Sequence, residues 1–285
     1  MKYLINYADV TYKPAQAYCT SKAYKKGKFD RVFEYGPKDI PKDFMERNKE
    51  WFVVGNTQIG KYGLWRPYII MDALNRIDEG DYLCYCDSGA YFVRNVDRLI
   101  DVMERDTLEV LVFELPLKEF QWTKNDIFRY LDAEKPEITQ SNQRMSTCFL
   151  IKKCSKTMNL FKEYYDISLK APWLFTDEDN RLGGNNDKAF IQNRHNQSVL
   201  SVLTKKYGIS AYRDPSDYGK KSELYSFTDG VIFEEKKYPT SSYPVMIISH
   251  RNGRVTFKTH IMTWARMLLT PRQYLMVLRF FQKHQ

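Results

Sequence analysis

Short apolar runs alternate with longer stretches of helical periodicity in the first half of the chain. The runs that predict buried strands are 2–8, 29–36, 81–86 and 108–114. Between the second and third run, Pro67 opens a stretch in which Ile70, Leu74 and Ile77 fall on one helical face. A further helix is predicted after the third run, with Asn95 as its cap. Strands and helices in this alternation predict an α/β fold with a mixed, mostly parallel sheet covered on both faces.

The second half of the chain is less regular but contains further elements. Strands are predicted at 145–153 and 243–250, and helices at 155–169 and 196–208. Between these helices, residues 176–190 form a polar segment rich in Gly and Asn, which is long enough to be a functional loop. Its acidic residues Asp177, Glu178 and Asp179 are either a solvated face or part of a lid over a ligand. Two basic, helix-like segments close the chain.

The composition is that of a globular protein, and its positive charge is concentrated near the C-terminus. Of the 285 residues, 43% are hydrophobic and 28% are charged. From Lys236 onward there are nine Lys or Arg and no Asp or Glu, which leaves 35 basic against 35 acidic residues in the remainder. A neutral body of this kind does not indicate nucleic-acid binding. We expect neither a signal peptide nor a membrane span, and we interpret the five cysteines as reduced thiols of a cytoplasmic protein.

The strand predicted at 81–86 ends on the triplet Asp87, Ser88 and Gly89. Asp-Ser-Gly is common turn chemistry, so a plain turn is one interpretation. In a mostly parallel sheet, however, ligands bind beyond the carboxyl ends of the strands. Arg66 begins a predicted helix and His250 ends a predicted strand, so both could reach the same edge. A carboxylate and an imidazole suit Mn²⁺ or Mg²⁺, and a divalent ion with an arginine suits a diphosphate.

Three segments, in this order, resemble the bacterial A-type glycosyltransferases that build capsular or lipopolysaccharide glycans. They are GLWRPYIIMDALNRIDEGDYLCYCDSGAYF at 63–92, FIQNRHNQSVLSVLTKKYG at 190–208 and SHRNGR at 249–254. Members of that family have a Trp-Lys-Pro-like helix start, an Asp-x-Gly or Asp-x-Asp motif, an Arg-His-Asp-Gln-Ser helix start and a late His-Arg segment. The resemblance covers most of the chain. It implies the Rossmann-like, mixed and mostly parallel sheet of the A-type glycosyltransferase fold.

The resemblance also implies an activity and a set of site residues. The activity is the metal-assisted transfer of a sugar from a nucleotide-diphospho-sugar, with UDP or GDP, to a hydroxyl of a growing surface glycan. The donor-binding residues that it implies are Tyr7, Ala8, Tyr12, Arg66, Asp87, Ser88 and Gly89. Among them, Arg66 would contact the diphosphate and Asp87 would hold Mn²⁺ or Mg²⁺. His250 would be a ligand of the metal or of a phosphate. Tyr7 and Tyr12 would line the nucleobase and ribose, with plain packing as an equal alternative.

Two positions depart from the family pattern. Gly89 stands where Asp-x-Asp has its second carboxylate, so a metal ion would have fewer protein ligands. Asn196 stands where an Asp is expected, and an amide cannot be a general base because it does not titrate. Asn196 would instead hydrogen-bond the sugar or the acceptor, or simply cap the helix that begins there. His195 is a second candidate for the catalytic base, or else an ordinary surface histidine.

We predict one glycosyltransferase domain over 1–250, with a donor half at 1–106 and an acceptor half at 107–250, and a basic helical tail at 251–285. In the tail, Arg272, Arg279 and Lys283 fall near one face of a helix that also has a broad apolar surface. This surface either docks on the protein's own core or lies on an anionic membrane. In the second case the acceptor would be a glycan or a lipid-linked glycan at the inner face of the cytoplasmic membrane.

Two other functions are open on the sequence alone. A nucleotidyltransferase could use the same sheet, although residues 5–16 lack the Gly-rich basic loop that such a function favours. A membrane-surface module could bind a sugar nucleotide after losing catalysis, which Gly89 and Asn196 would explain. Release of nucleoside diphosphate from a donor in the presence of Mn²⁺ would distinguish an enzyme from a binding module.

Overall fold

A computed structural model describes residues 1–52 and 62–283, apart from the side chains of 51–52 and 279–283. The strands of these residues are Lys2–Tyr7 (β1), Arg31–Tyr35 (β2), Tyr82–Cys86 (β3), Ala90–Phe92 (β4), Val110–Lys118 (β5), Asn142–Arg144 (β6), Cys148–Lys152 (β7), Ala211–Arg213 (β8) and Ile247–Ser249 (β9). The α-helices are Lys13–Lys22 (α1), Lys42–Arg47 (α2), Lys49–Phe52 (α3), Trp65–Asn75 (α4), Asp97–Arg105 (α5), Glu119–Trp122 (α6), Asn125–Tyr130 (α7), Pro136–Thr139 (α8), Ser155–Lys170 (α9), Asn196–Lys206 (α10), Phe257–Leu268 (α11) and Pro271–Lys283 (α12). Within the described ranges, no helix combines the length and the apolar character needed to cross a membrane.

Seven strands form one mixed sheet in the order β2-β1-β3-β7-β5-β6, with β8 paired to β5. β1 runs parallel to β2 and β3, and β8 runs parallel to β5, whereas β6 and β7 are antiparallel to their neighbours. Five of these seven strands therefore point the same way, which confirms the predicted mixed, mostly parallel sheet. β2 and β3 lie on opposite sides of β1, and a crevice at such a switch point is where sheets of this class bind ligands.

Helices cover both faces of the sheet, as the apolar pattern predicts. On one face, α4, α9 and α10 pack with Ile5, Leu83 and Tyr85 in a buried cluster. On the other face, α1 and α5 pack with Leu4 and Cys84. Neighbouring residues of one strand point to opposite faces, so a strand that is covered on both faces consists of an unbroken apolar run. For this reason β1 and β3 are recognisable in the sequence.

Three regions differ from the predicted elements. Helix α5 begins at Asp97 instead of following an Asn95 cap, and Asn95 Oδ1 accepts a hydrogen bond from the Asp97 N–H (3.1 Å). The strand predicted at 243–250 is reduced to β9, which pairs with β4 outside the main sheet. The short elements α6, α7, α8 and β6 lack the apolar periodicity that would predict them. Polar contacts join this region to the rest of the chain, and the buried Glu119 carboxylate accepts hydrogen bonds from Ser201 and Lys205.

The first tail helix packs on the body through a polar face. Arg266 of α11 is buried, forms an ion pair with the buried Asp217 (Nε–Oδ2 2.6 Å) and donates to the Tyr274 hydroxyl of α12 (3.3 Å). The opposite side of α11 is an apolar row that faces solvent, formed by Phe257 (80% exposed), Ile261 (38%), Trp264 (66%) and Leu268 (72%). Among the described side chains of the tail, α11 therefore exposes a continuous apolar row. The side chains of Arg279 and Lys283, two of the three basic residues expected on one face of α12, lie outside the described residues.

Candidate functional site

A cavity of about 660 Å³ opens at the carboxyl ends of the parallel strands. Its walls include Tyr7 at the end of β1, Asp87 after β3, Leu117 near the end of β5 and Asp214 after β8. Eight of the ten site residues predicted from the sequence line it, namely Tyr7, Ala8, Tyr12, Arg66, Asp87, Ser88, Gly89 and Asn196. The volume lies within the range of roughly 300–1,000 Å³ that is usual for small-molecule sites. The position and size of this cavity make it the candidate active site.

Arg66 is the centre of a charged network beneath the cavity. It lies at the start of α4 with 7% of its side chain exposed, and its Nη2 donates to Asp87 Oδ1 (2.8 Å). Its Nη1 donates to Ser146 Oγ (2.6 Å) and to Asn196 Oδ1 (2.5 Å). The Tyr85 hydroxyl also donates to Asp87 Oδ1 (2.6 Å). Burial alone would lower the pKa of Arg66, but the Asp87 charge and Tyr85 raise it above its usual value. Asp87 is thus already paired with a protein cation.

Asn196 directs its side chain into the cavity and does not cap its own helix. The N-cap residue of α10 is His195, which has a φ of 56° and makes no side-chain capping bond. The Asn196 amide accepts from Arg66 and donates through Nδ2 to the backbone carbonyl of Tyr62 (3.2 Å). The interpretation of Asn196 as a simple helix cap is therefore wrong.

The structure does not place His195 in the wall of this cavity. His195 Nε2 lies 2.7 Å from Asp177 Oδ1, and neither residue lines the cavity. The rest of the predicted acidic lid, Glu178 and Asp179, does not line it either. The loop that carries these residues is tied to α7, because the Asp126 carboxylate accepts hydrogen bonds from the backbone N–H groups of residues 181 and 182. A lid formed by this segment stays a hypothesis.

His250 approaches the candidate site with its backbone, while its ring faces elsewhere. Its N–H donates to the Gly89 carbonyl (2.9 Å), but its side chain lines a neighbouring cavity of about 510 Å³. Nε2 is buried and has no hydrogen-bond partner within the described part of the chain. Burial, together with the charges of Arg266 and His260, lowers the pKa of His250 to about 4. The ring is therefore neutral at physiological pH.

Tyr7 and Tyr12 form the wall nearest to β1. The Tyr7 ring stacks on Trp65 with centroids 3.8 Å apart, and its backbone carbonyl accepts a hydrogen bond from Ser88 Oγ (2.7 Å). Its hydroxyl is buried and finds no partner among the described residues, and burial raises the pKa of Tyr7 above its usual range. The Tyr12 hydroxyl donates to the backbone carbonyl of Arg251 (3.2 Å). A buried hydroxyl without a partner is a group that a ligand in the cavity would satisfy.

Asp214 is a cavity residue that no sequence motif indicated. It follows β8 and is 4% exposed, and its Oδ1 accepts a hydrogen bond from the Ser216 N–H (2.7 Å). Burial raises the pKa of Asp214 to about 6. A carboxylate in a cleft with a pKa near neutrality is suited to proton transfer. In the sequence it reads as part of an Asp-Pro-Ser-Asp turn, and only the pairing of β8 with β5 brings it to the cavity.

The described residues of the cavity wall offer a metal ion few protein ligands. Throughout residues 1–52 and 62–283, no group of three or more His, Cys, Asp or Glu side chains could hold a metal ion. One Asp87 oxygen already accepts two hydrogen bonds from protein groups. At Gly89, a Cβ atom would lie 3.3 Å from the Cα of Arg251, so backbone packs tightly where a second carboxylate would begin. The binding of a metal by Asp87 and His250 stays a prediction of the sequence.

Comparisons with known proteins return structural likenesses only. No protein-family model matches the chain, and no curated protein matches it. Among solved structures, the chain is similar to mouse xyloside xylosyltransferase 1 in its apo form, with a TM-score of 0.47 and 10% identity over 87% of this chain and 97% of that chain. It is also similar to the apo form of the glycosyltransferase GlyE of Streptococcus pneumoniae, with a TM-score of 0.40 and 14% identity over 99% of this chain and 64% of that chain. Both TM-scores are below 0.5.

Proposed function

We propose that the protein is a glycosyltransferase that binds a nucleotide-diphospho-sugar in the 660 Å³ cavity. The observation that carries this proposal is the meeting of eight predicted site residues at the switch point between β1 and β3. These residues come from segments far apart in the chain, and the motif resemblance implies a common role for them. The unpartnered Tyr7 hydroxyl in the same wall supports a bound ligand.

The proposed reaction uses positioning and a buried carboxylate. A hydroxyl of the acceptor attacks the anomeric carbon while the bond from that carbon to the diphosphate oxygen breaks. Asp214 is the candidate group to take the proton of the attacking hydroxyl, because its raised pKa matches this task. Asn196 lines the same cavity and would hydrogen-bond the sugar or the acceptor. Metal assistance stays a prediction from the sequence, and no step of this proposal depends on it.

The proposed acceptor is a glycan or a lipid-linked glycan of a bacterial surface polymer, synthesised at the inner face of the cytoplasmic membrane. The motif resemblance supports the polymer, and the tail supports the location. The apolar row of α11 faces solvent, and no acidic residue follows Glu235 to oppose the nine basic ones. An exposed Trp and Phe beside basic residues suit the interface of an anionic bilayer. Each Lys or Arg near such a surface contributes about 1 kcal/mol.

Thermal unfolding with a panel of sugar nucleotides tests the donor class. A donor that binds should stabilise the protein by about 2.7 kcal/mol at about a hundred times its dissociation constant. The stabilising donor is then incubated with the protein, and the release of nucleoside diphosphate is measured with Mn²⁺ and with EDTA. Stabilisation together with release supports the transferase. Stabilisation without release indicates a sugar-nucleotide-binding module, and no stabilisation by any donor rejects the proposed function.

A further inference from the structure

Two arginines line the cavity without a carboxylate partner. Arg194 precedes α10, and Arg251 follows β9. Within the described ranges, neither guanidinium has an ion pair or a side-chain hydrogen bond, and Arg194 Nε is buried without a partner. The guanidinium of Arg194 lies over the Trp122 ring (4.1 Å) and that of Arg251 over the Tyr218 ring (4.8 Å). An arginine that stacks on a ring by its face keeps its N–H edge available for an anion.

The charge of Arg251 acts on Arg194, and both charges act on one shared neighbour. Burial lowers the pKa of Arg194, and the charge of Arg251 lowers it further. Both arginines also oppose the rise that burial causes in the pKa of Tyr225, a third residue of the cavity wall. Like charges that approach each other in a partly desolvated cavity are unfavourable unless an anion compensates them. Burial also lowers the pKa of Arg251, but Tyr225, Tyr218 and Asp214 raise it above its usual value, so this guanidinium stays charged. Two guanidiniums in one cavity wall suit a ligand with more than one negative charge.

The backbone places Arg251 beside the motif that lacks its second carboxylate. The Arg251 and His250 N–H groups both donate to the Gly89 carbonyl (2.9 Å each). Arg251 has a φ of 57°, a left-handed conformation that costs energy for a residue with a side chain. A Cβ atom at Gly89 would lie 3.3 Å from the Cα of Arg251. The absence of a side chain at residue 89 and the close approach of Arg251 are thus parts of one arrangement.

The start of α10 adds a third positive feature to the same wall. This helix has eleven residues, and Asn196 and Gln197 of its first turn line the cavity, separated from Arg194 by His195. The N–H groups at a helix start carry a partial positive charge and bind phosphate groups. The positive features of Arg194, Arg251 and this helix start therefore come from two separate segments and face one space.

We propose that Arg194 and Arg251 bind the diphosphate of the donor and supply the counter-charge that a divalent ion would otherwise supply. This inference rests on the proposed function and adds that donor binding needs no metal ion. When the bond between the anomeric carbon and the diphosphate oxygen breaks, its electron pair stays on that oxygen. The two guanidiniums stabilise the added negative charge. The acceptor oxygen forms the new bond to the anomeric carbon, and its proton passes to Asp214.

Calorimetry in EDTA tests the proposal, with UDP, GDP and inorganic pyrophosphate as probes. Pyrophosphate has no base or sugar, so it reports the anion site alone. We expect a nucleoside diphosphate and pyrophosphate to bind in EDTA, and Mn²⁺ to add little affinity. Arg194→Gln and Arg251→Gln should each weaken pyrophosphate binding by about tenfold or more, as expected for a charge-assisted contact. Arg98→Gln, which removes an exposed arginine outside the cavity wall, is the matched control and should bind as the wild type does.

Three further results decide the outcome. Binding of UDP and GDP that appears only with Mn²⁺ or Mg²⁺ would overturn the arginine proposal and leave the proposed function intact. No binding of any nucleoside diphosphate, with or without metal, would reject the proposed function itself. If a Gln variant does not fold, the wild type still provides a test, because pyrophosphate binding in EDTA must weaken as salt rises. Affinity for pyrophosphate that does not change with salt would contradict an arginine site.

Discussion

Replacing Arg66 with Met is expected to lower the free energy of unfolding by about 3 kcal/mol, because Asp87 loses its cation. The two charged groups lie 2.8 Å apart, with 7% of the Arg66 side chain and 32% of the Asp87 side chain exposed. Breaking a fully buried pair costs about 3–5 kcal/mol, and the partial exposure of Asp87 places this case at the lower end. Met keeps the length and the helix propensity of the side chain. It donates no hydrogen bond to Ser146 or Asn196, which therefore also lose a partner.

Urea unfolding followed by circular dichroism measures this loss, provided that the denaturant slope stays unchanged. Asp87→Asn and the double variant complete a thermodynamic cycle, in which the double variant should lose about 1 kcal/mol less than the sum of the single losses. Arg47→Met is the matched control, because Arg47 and Asp43 are 3.7 Å apart with 72% and 71% of their side chains exposed, and such pairs add little stability. Strictly additive losses, or a loss below about 1 kcal/mol for Arg66→Met, would refute the pairing. Arg66 would then be available for the diphosphate contact that the motif resemblance implies.

Three other predictions follow from the site and the tail. Burial raises the pKa of Asp214 to about 6, above the value of about 4 in the unfolded chain. The stability that Asp214 contributes is therefore complete below about pH 4 and is lost as the pH rises through about 6. Relative to Asp214→Asn, the wild type should lose about 3 kcal/mol of unfolding free energy between about pH 4 and pH 7, and parallel stability curves would contradict the raised pKa. Asn196→Asp should leave the donor turnover rate unchanged, because the new carboxylate would pair with Arg66, and a clear rise in rate would return the base role to this position. Trp264→Ser should weaken co-sedimentation with anionic vesicles more than the control Leu182→Ser does. Removal of residues 271–285 should also weaken this co-sedimentation, but it should not change the hydrolysis of a soluble donor. Both differences in vesicle binding from the wild type should become smaller as the salt concentration rises, because salt screens the attraction. If the truncated protein binds vesicles as well as the wild type does, the tail has a structural role only.

The apolar pattern predicted the elements that are covered on both faces. β1, β3, α4, α9 and α10 appear within a few residues of their expected bounds, because burial imposes a period of two on a strand and about 3.6 on a helix. The short elements between residues 119 and 144 escaped prediction, since buried polar groups such as Glu119 join them to the rest of the chain. Such polar contacts produce no periodic pattern of apolar residues in the sequence.

The candidate site was predictable only where a residue is tied to the end of an element. Asp87 follows a recognisable strand and Arg66 begins a recognisable helix, so the position of each at the sheet edge could be inferred. Asp214, Arg194 and Arg251 lie in or beside segments that read as loops or turns. Arg194 and Arg251 belong to the segments at 190–208 and 249–254 that resemble the family motifs, but nothing local to any of these three residues indicates which partners it meets.

The sequence by itself determined the elements that are covered on both faces, such as β1, β3 and α4, and that Asp87 stands at the end of a buried strand. The tertiary structure decided the partners of these residues. Arg66 meets Asn196, 130 positions away, and Tyr12 meets the backbone of Arg251, 239 positions away. Such meetings depend on strand pairing, for example that of β9 with β4 and of β8 with β5. Hydrophobic periodicity is set by neighbours within one or two turns of the chain, whereas strand pairing is set by the packing of the whole core.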